Sequence, residues 1–318
     1  MLARLQEQQG NHLPHFYASS GGNAGLACAT AARSLNLPCT IVVPISTSPL
    51  MAAKIRATGG TVIQIGETWK EADTYLRGEL LPQDQGGIYV PPFDHPDIWS
   101  GNATVIEEIV TQMREDIDEG ALPDVLVCSV GGGGLLNGLV QGIEAIPDWT
   151  PSVLAVETNG TDSLSQSLSA KELITLPGIT SIATSLGATR VSEQTFLYAS
   201  QPERRIMSRV MSDEEAARGC VMLADAERLL VEAACGVCVA AVCFEGEPEW
   251  AKVAPRGRGK DTKVVIVVCG GSNCTVEMLA EWRKKFGGLE KTAGVDTCGE
   301  GKSAAVASGL QTPPVEKV

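Results

Sequence analysis

The 318 residues suffice for one large domain or two moderate ones, and a hydrophobic share of 44% can fill a sizeable buried core. The formal net charge is −13 and no lysine/arginine stripe offsets it, so we expect neither nucleic acid nor an anionic membrane as a partner. The N-terminus lacks an apolar signal core and no stretch approaches a membrane span, which predicts a cytoplasmic protein.

The ten cysteines lack the regular framework of a small secreted domain, and we expect them to be reduced. Cys235-Gly-Val-Cys238 has the spacing of a redox or zinc pair, but no second such pair accompanies it. Its neighbours are small and apolar. We therefore favour two buried thiols in a tightly packed helix over a redox or metal site. With only three histidines, a histidine-rich metal site is not expected.

Short apolar runs alternate with helical stretches along the chain. The runs are β-branched and bounded by Gly, Pro or polar residues, which is typical of buried strands. The predicted strands are 40–43, 61–65, 125–130, 153–156 and 264–269. The predicted helices include an alanine-rich one at 24–35, one beginning at 135 with an apolar face, and one at 213–231 after Ser212 as N-cap.

This alternation predicts an α/β fold of two domains with largely parallel, twisted sheets. A proline-broken loop at 91–96 marks the expected boundary between them. We assign residues 1–96 to a small α/β domain and residues 97–286 to a larger one. From residue 287 the periodicity fades into Gly, Ser, Ala, Thr and Pro, so residues 287–318 are predicted to be a disordered tail.

The first motif that can carry chemistry is Ala18-Ser-Ser-Gly-Gly-Asn-Ala-Gly25, which leads directly into a helix. Small residues before a helix leave backbone N–H groups without an intrahelical partner, and the helix dipole favours an anion there. Asn23 adds an amide that both donates and accepts hydrogen bonds. A carboxylate or phosphate would fit, although an ordinary strand-to-helix turn has the same composition.

The second motif is Ser129-Val-Gly-Gly-Gly-Gly134, between a strand and a helix. Successive glycines allow main-chain N–H groups to point inward and form a nest of phosphate size. Glycine loses much conformational entropy on folding, and a simple turn would not require four of them in a row. The spacing is not the dinucleotide fingerprint, because Leu136 or Asn137 stands where its third glycine is required. We favour anion binding.

The third motif is Val264-Val-Ile-Val-Val-Cys-Gly-Gly-Ser-Asn273, in which a predicted buried strand ends at Cys269 and is followed by two glycines. Taken in order, the three motifs resemble those of fold-type II pyridoxal-phosphate enzymes, and among them the serine/threonine dehydratases. Further similar stretches lie at 32–44, 88–99 and 231–236, and the resemblance spans roughly residues 15 to 285.

The resemblance implies roles for particular residues. The substrate carboxylate would be bound by the first loop: Ser20, Gly21, Asn23 and Ala24. Asn23 would also reach the ring oxygen of pyridoxal 5′-phosphate, and Cys269 would face its pyridine nitrogen. The cofactor phosphate would be held by Gly131, Gly132, Gly133, Gly134 and Leu135. A monovalent cation such as K⁺ would be bound by Glu157, Thr161, Ser163, Leu186 and Ala188.

A neutral thiol at Cys269 does not enforce a protonated pyridine ring, so the cofactor would be a weaker electron sink. Such a cofactor suits the loss of a β-hydroxyl group. The resemblance therefore implies conversion of L-serine to pyruvate and ammonia, and of L-threonine to 2-oxobutanoate, by a homodimer. Gly21 and Ser185 stand where relatives often have alanine, which makes the site slightly larger or more polar.

The lysine that binds the cofactor as a Schiff base in this family lies in a Ser-x-Lys-x-Arg-Gly motif before the first loop. No such motif occurs here, and Lys54 and Lys70 both follow the loop. We expect Met1 to be an internal methionine, with this lysine and part of the large domain missing upstream of it. The alternative is a pseudoenzyme that binds an amino acid or the cofactor without turnover. A racemase, threonine synthase or D-amino-acid dehydratase reaction on the same fold also stays open.

Overall fold

The structure is a computed structural model that describes residues 12–244, 249–254 and 261–287. The chain divides into two compact units, with the division between Asp97 and Ile98. Each unit contains a four-stranded sheet in which every pairing is parallel. The prediction of an α/β fold with two parallel sheets is therefore confirmed.

The first unit alternates strands and helices from its first described residues onward. Its elements are β1 (His15–Ala18), α1 (Asn23–Ser34), β2 (Cys39–Val43), α2 (Pro49–Ala57), β3 (Thr61–Gln64), α3 (Trp69–Tyr75) and β4 (Gly87–Tyr89). A π-helical turn (Leu76–Leu80) and a 3-10 turn (Leu81–Gln83) follow α3. The strand order is β3-β2-β1-β4. All five residues of β2 are buried, because apolar side chains cover both faces of this central strand.

The second unit repeats this pattern on a larger scale. Its elements are α4 (Pro96–Asp116), β5 (Val125–Ser129), α5 (Gly134–Glu144), β6 (Ser152–Thr158), α6 (Ser163–Ala170), α7 (Glu193–Ala199), β7 (Ile206–Met211), α8 (Asp213–Glu227), α9 (Ala233–Cys243), β8 (Val264–Ile266) and α10 (Val276–Phe286). The strand order is β7-β6-β5-β8. The carboxyl ends of parallel strands share one edge of a sheet, so the segments that follow β5, β6 and β8 emerge at that edge.

Strand β5 separates two apolar cores in the second unit. Val125 and Val127 pack into one core, whereas Leu126 and Cys128 pack into the other. Successive side chains of a strand point to opposite faces, so a strand that is buried on both faces must be apolar at every position. This explains the uninterrupted apolar run that marked the strand in the sequence.

Helices α8 and α9 pack closely, and small side chains make this possible. A Cβ atom added to Gly219 of α8 would lie 2.0 Å from the backbone oxygen of Gly236 in α9. Residues 233–241 are all buried, including Cys235 and Cys238. The interpretation of Cys235-Gly-Val-Cys238 as part of a tightly packed helix is thus confirmed. Within the described ranges, no group of three or more His, Cys, Asp or Glu is placed to hold a metal ion.

Several boundaries differ from the sequence predictions. Strands β1, β4 and β7 were not predicted, since two are short and β7 contains polar residues at Ser208 and Arg209. The helix expected to reach residue 231 ends at Glu227, where Arg228 adopts a left-handed conformation with φ of 64°. The predicted disordered tail lies, from residue 288 onward, outside the described residues. No helix in the described part of the chain is long and apolar enough to cross a bilayer.

Candidate functional site

The serine- and glycine-rich loop of the first unit follows β1 and leads into α1. Its turn is closed by the Gly22 N–H, which donates to Ser20 Oγ over 3.3 Å. Helix α1 then begins at Asn23, so Asn23 and Ala24 form its first turn. A Cβ atom on Gly25 would lie 1.8 Å from the Ser20 carbonyl oxygen, which makes glycine necessary there. The structure thus holds Ser20, Gly21, Asn23 and Ala24 together at a helix N-terminus, where anions are stabilised.

A largely buried hydrogen-bond network anchors the start of this loop at Ser19. Ser19 Oγ and Tyr89 OH both donate to Asp73 Oδ1, each over 2.7 Å. Burial raises the pKa of Tyr89 to about 12, and its hydrogen bond to Asp73 acts in the same direction. Sequence reasoning missed Asp73 because its partners lie 54 and 16 residues away. The network ties the loop after β1 to α3 and β4.

The tetraglycine segment of the second unit forms the turn between β5 and α5. Gly133 is the N-cap of α5 and has φ of +94°, a conformation that L side chains rarely adopt. A Cβ atom added there would lie 1.8 Å from Thr195 Oγ1. The position therefore requires glycine on both conformational and steric grounds. Gly134 and Leu135 form the first turn of the helix, and Gly131 and Gly132 precede the cap.

Polar side chains behind the turn hold it in shape. Asn137, fully buried, donates through Nδ2 to Ser192 Oγ over 3.0 Å and accepts at Oδ1 from Thr195 Oγ1 over 2.9 Å. The Ser192 N–H donates to the Gly132 carbonyl over 3.0 Å, and the Asn137 N–H donates to the Gly133 carbonyl over 2.9 Å. Two glycine carbonyls are thus bonded to the protein behind the turn. This supporting role of Asn137 was not predicted from the sequence, where Asn137 was noted only at the position of the third glycine of the dinucleotide-binding fingerprint.

The turn between β5 and α5 fits a phosphate group. The first N–H groups of α5 have no partner within the helix, and the helix dipole favours negative charge at this end. The glycines bring no side chains of their own into the turn, so successive main-chain N–H groups can face a single anion. These are properties of a nest for a phosphate, although the assignment of Gly131–Gly134 and Leu135 to that task remains a prediction.

Cys269 follows β8, the strand that pairs with β5 in the same sheet. Its side chain is exposed, whereas the thiols around it are buried: Cys128, Cys235 and Cys238. A hydrogen bond from the Cys235 thiol lowers the pKa of Cys269, although partial burial acts against this. Burial raises the pKa of Cys128 to about 12, and the charge of Cys269 adds to this effect. Cys269 is therefore the one exposed thiol among these four.

Glu232 connects the Cys269 segment to the 3-10 turn Thr184–Leu186, and sequence reasoning missed this role. It is 5% exposed and is the N-cap of α9. Its carboxylate accepts hydrogen bonds from Ser185 Oγ and from the Asn273 N–H, and its own N–H donates to the Gly270 carbonyl over 2.9 Å. An acidic residue directly before an apolar, small-residue helix was the available signal.

Three of the predicted cation-binding residues, Glu157, Thr161 and Ser163, lie at or just after the end of β6. Glu157 is fully buried and accepts hydrogen bonds from the N–H groups of Leu164 and Ser165, each over 2.8 Å. Burial raises the pKa of Glu157 to about 7 despite these bonds. Thr161 Oγ1 lies 2.7 Å from Thr158 Oγ1. Among the described residues, Ser163 Oγ is the one buried side-chain oxygen or nitrogen that lacks a hydrogen-bond partner.

Two more residues of this predicted set lie in the segment after β6 and α6. Leu186 is buried and closes the 3-10 turn Thr184–Leu186, and the Ala188 N–H donates to its carbonyl over 2.8 Å. A Cβ atom on Gly131 would lie 3.1 Å from Leu186 Cα, so this turn packs against the tetraglycine segment. The unsatisfied oxygen of Ser163 and the buried acid Glu157 suit a site for an oxygen-ligated cation.

Comparison with known proteins gives the family to which these features belong. The family described as "Pyridoxal-phosphate dependent enzyme" matches residues 1–270. The chain belongs to this family of pyridoxal-phosphate dependent enzymes. This pyridoxal-phosphate dependent enzyme is 40% identical over 285 residues to the catabolic L-serine/threonine dehydratase of Saccharomyces cerevisiae, which covers 86% of the chain and 77% of the yeast protein.

Two further comparisons agree with this family. The L-serine dehydratase/L-threonine deaminase of Bos taurus is 40% identical over 274 residues, covering 86% of the chain and 80% of the bovine protein. The crystal structure of a fungal L-serine ammonia-lyase from Rhizomucor miehei superimposes with a TM-score of 0.73 at 31% identity, covering 89% of this chain and 85% of the fungal one. The resemblance to the dehydratases of this family is confirmed.

Proposed function

We propose that this pyridoxal-phosphate dependent enzyme is an L-serine/L-threonine dehydratase, an ammonia-lyase. It converts L-serine to pyruvate and ammonia, and L-threonine to 2-oxobutanoate and ammonia. The observation that carries the proposal is the 40% identity to relatives with these names across 86% of the chain. The fungal L-serine ammonia-lyase, which has the same fold at 31% identity, supports it.

Pyridoxal 5′-phosphate fits the residues of the second unit. Its phosphate would be held by the N–H groups of the turn formed by Gly131, Gly132, Gly133, Gly134 and Leu135. When bound, the cofactor withdraws electrons from Cα of the amino acid. Cys269 would face the pyridine nitrogen and, as a thiol, would leave the ring unprotonated. This suits the elimination of a β-hydroxyl group, which needs no long-lived carbanion.

The loop of the first unit would bind the amino-acid substrate. The main-chain N–H groups of Ser20, Gly21, Asn23 and Ala24 lie at the start of α1, where the helix dipole attracts a carboxylate. Asn23 would also donate to the ring oxygen of the cofactor. The Ser19–Asp73–Tyr89 network would keep the loop in position, since all three hydrogen-bonding atoms lie on different elements.

A monovalent cation such as K⁺ would occupy the site formed by Glu157, Thr161, Ser163, Leu186 and Ala188. The buried carboxylate of Glu157 and the unsatisfied oxygen of Ser163 support this assignment. The cation would stabilise the turn that contains Leu186, which packs against the tetraglycine segment. By fixing this turn, the cation would indirectly stabilise the conformation of the tetraglycine segment that is proposed to bind the phosphate.

The enzyme would act in the cytoplasm as a homodimer. None of the nine cysteines in the described residues forms a disulfide, although Cys28 Sγ and Cys39 Sγ lie only 3.7 Å apart. Unpaired thiols this close are typical of a reducing compartment. Sedimentation velocity of the purified chain tests the homodimer, because a monomer and a dimer differ twofold in mass.

Keto-acid formation tests the reaction. The purified chain, supplied with pyridoxal 5′-phosphate and K⁺, is incubated with L-serine, L-threonine and their D-isomers, and pyruvate and 2-oxobutanoate are measured. Keto acids from the two L-isomers support the proposal. Keto acids from the D-isomers alone, or inversion without keto acid, would instead indicate a D-amino-acid dehydratase or a racemase.

A second candidate is a protein that binds the cofactor or an amino acid without turnover. The positions of two lysines favour it: Lys54 lies in the last turn of α2 and Lys70 lies in α3, so both belong to helices and not to the glycine-rich turns. Borohydride reduction followed by intact-mass and peptide analysis separates the two candidates. A pyridoxyl group on a lysine of this chain supports an enzyme, whereas cofactor binding without such an adduct and without ammonia release supports the second candidate.

A further inference from the structure

An asparagine of α4 reaches the main chain of the tetraglycine segment, although no sequence motif pointed to it. Asn102 Nδ2 donates a hydrogen bond to the Gly134 carbonyl oxygen over 3.1 Å. Gly134 is the first residue of α5, so this bond joins the side of α4 to the first turn of α5. A side chain that lies 32 positions earlier in the chain therefore contacts the backbone of the proposed phosphate site.

Close packing of α4 against α5 places Asn102 at this point. A Cβ atom added to Gly138 would lie 2.4 Å from Asn102 Cβ and 2.7 Å from the Trp99 carbonyl oxygen. One turn further along α5, a Cβ atom on Gly142 would lie 2.7 Å from Ile106 Cβ. Two glycines of α5 thus allow the close approach of α4, and the position of Asn102 is fixed by packing as well as by its hydrogen bond.

The carbonyl groups of three successive glycines are bonded to donors of the protein. The Gly132 carbonyl accepts from the Ser192 N–H over 3.0 Å. The Gly133 carbonyl accepts from the Asn137 N–H over 2.9 Å. Asn102 bonds the third carbonyl of the series, that of the next residue. Each of the three peptide units that follow these glycines is therefore restrained at its oxygen.

These restraints also determine where the N–H groups of the turn point. In a trans peptide unit the N–H points opposite to the C=O, so fixing a carbonyl fixes the N–H of the following residue. The N–H groups concerned are those of Gly133, Gly134 and Leu135. They donate no hydrogen bond to any residue that the structure describes. Three consecutive donors are thus held in set directions, which is what a nest for one anion requires.

We propose that Asn102 is a positioning residue of the phosphate site. It holds the peptide unit between Gly134 and Leu135 so that the Leu135 N–H is directed at the cofactor phosphate. This inference rests on the proposed function, in which the tetraglycine segment binds that phosphate. Asn102 acts through the main chain, and as a neutral amide it adds no charge to the site.

A restraint from outside the helix matters most in the first turn. Helix ends fray, so a peptide unit in the first turn can tilt more easily than one in the middle of a helix. The bond from Asn102 opposes this tilt at Gly134. Without it, the Leu135 N–H would lose its alignment with the phosphate part of the time, and the hydrogen bond to the phosphate would weaken.

The experiment measures binding of pyridoxine 5′-phosphate and of pyridoxine to the full chain by isothermal titration calorimetry. Both compounds carry the ring, neither carries the aldehyde that reacts with lysines, and only one carries the phosphate. The ratio of their dissociation constants therefore isolates the contribution of the phosphate. We expect the wild type to bind the phosphate ester more tightly. Asn102→Leu, which keeps the branch at Cγ but has no donor, should reduce the ratio about tenfold and leave the affinity for pyridoxine unchanged.

Two further variants define the effect. Asn102→Asp keeps the shape of the side chain but places a carboxylate against the Gly134 carbonyl, so it should reduce the ratio at least as far. Thr104→Val is the control on the same helix, because it removes a 2.9 Å side-chain bond to the Gly101 carbonyl that does not involve α5. Its ratio should equal that of the wild type. Far-UV circular dichroism establishes that each variant is folded, and if Asn102→Leu is not, Asn102→Asp decides.

The outcomes separate this inference from the proposed function. If the wild type prefers the phosphate ester and the Asn102 variants keep the same ratio, the inference fails and the proposed function stands. Equal weakening of both compounds would also overturn it, since Asn102 would then support the fold in general and not the phosphate site. If the wild type itself does not prefer the phosphate ester, the tetraglycine segment does not bind the phosphate, and that part of the proposed function fails together with the inference.

Discussion

Replacing Gly133 by alanine tests whether the turn between β5 and α5 depends on glycine. The residue has φ of +94°, and a Cβ atom there would lie 1.8 Å from Thr195 Oγ1. An L side chain in a left-handed conformation costs about 1–2 kcal/mol. Forcing an extra carbon into a packed site costs about 1–3 kcal/mol more. We therefore expect Gly133→Ala to lower the free energy of unfolding by about 2–5 kcal/mol.

Gly59→Ala is the matched control. Gly59 has φ of +90°, nearly the same backbone conformation, but a Cβ atom there would meet nothing within 4 Å. The control carries the conformational cost of about 1–2 kcal/mol without the steric one. The two variants are compared by urea unfolding, followed by far-UV circular dichroism. Their difference, about 1–3 kcal/mol, measures the overlap with Thr195.

A double-mutant cycle tests whether the Thr195 side chain is responsible. Thr195→Ala removes Oγ1 and with it the hydrogen bond to Asn137 Oδ1, at a cost of about 1–3 kcal/mol. Combined with Gly133→Ala, it should cost less than the sum of the two single changes, since the overlapping Oγ1 and Cγ2 atoms are gone. The explanation is wrong if Gly133→Ala is no less stable than Gly59→Ala, or if the two changes at 133 and 195 are additive. Weaker binding of pyridoxal phosphate by Gly133→Ala, measured by absorbance titration, would extend the result to the proposed cofactor site.

Three further predictions concern buried or half-buried carboxylates. Asp84→Asn should cost about 1–3 kcal/mol at neutral pH, since Asp84 accepts hydrogen bonds from Tyr17 and His15. Burial opposes ionisation, but these bonds and one from the Gly86 N–H keep the pKa of Asp84 below its usual value. The ionised Asp84 carboxylate therefore stabilises the fold at pH values above the ordinary pKa of aspartate. The difference in free energy of unfolding between the wild type and Asp84→Asn, measured with urea, should vanish as the pH falls through the lowered pKa of Asp84 in the folded protein. Glu157→Gln should abolish the rise in unfolding temperature that K⁺ produces in the wild type, measured by differential scanning fluorimetry. Glu232→Gln leaves one acceptor oxygen for two donors, so it should cost about 1–3 kcal/mol and speed alkylation of Cys269.

Each of these changes has a control and a result that would contradict it. For Asp84→Asn, a loss that stays constant down to strongly acid pH would show that ionisation is not involved. For Glu157→Gln, the control is Asp162→Asn, a neighbouring acid outside the proposed set, and stabilisation by K⁺ that survives the change at 157 would remove Glu157 from the cation site. For Glu232→Gln, the control is Ser185→Ala, and unchanged alkylation of Cys269 would mean that Glu232 does not restrain its segment.

Local sequence patterns were sufficient for the elements that are buried on both faces. The apolar runs at 40–43 and 125–130 became β2 and β5, and the capping residue Ser212 begins α8 with its side chain bonded to the Glu215 N–H. Their signal is strong because a two-sided core demands an apolar residue at every position. Strands β1, β4 and β7 gave no such signal. They are short or partly polar, and pairing with β2, β1 and β6 creates them.

The glycine turns could be recognised from sequence because their requirement is local: a positive φ or a missing Cβ is a property of one position. The residues that support those turns could not. Asn137 bonds to side chains 55 and 58 residues away, and Glu232 to donors 47 and 41 residues away. The sequence around such a polar residue does not show its hydrogen-bond partner, because the partner lies beside it only in the folded chain. Parallel sheets bring such partners together at their carboxyl edge, since each strand adds a distant segment to the same place.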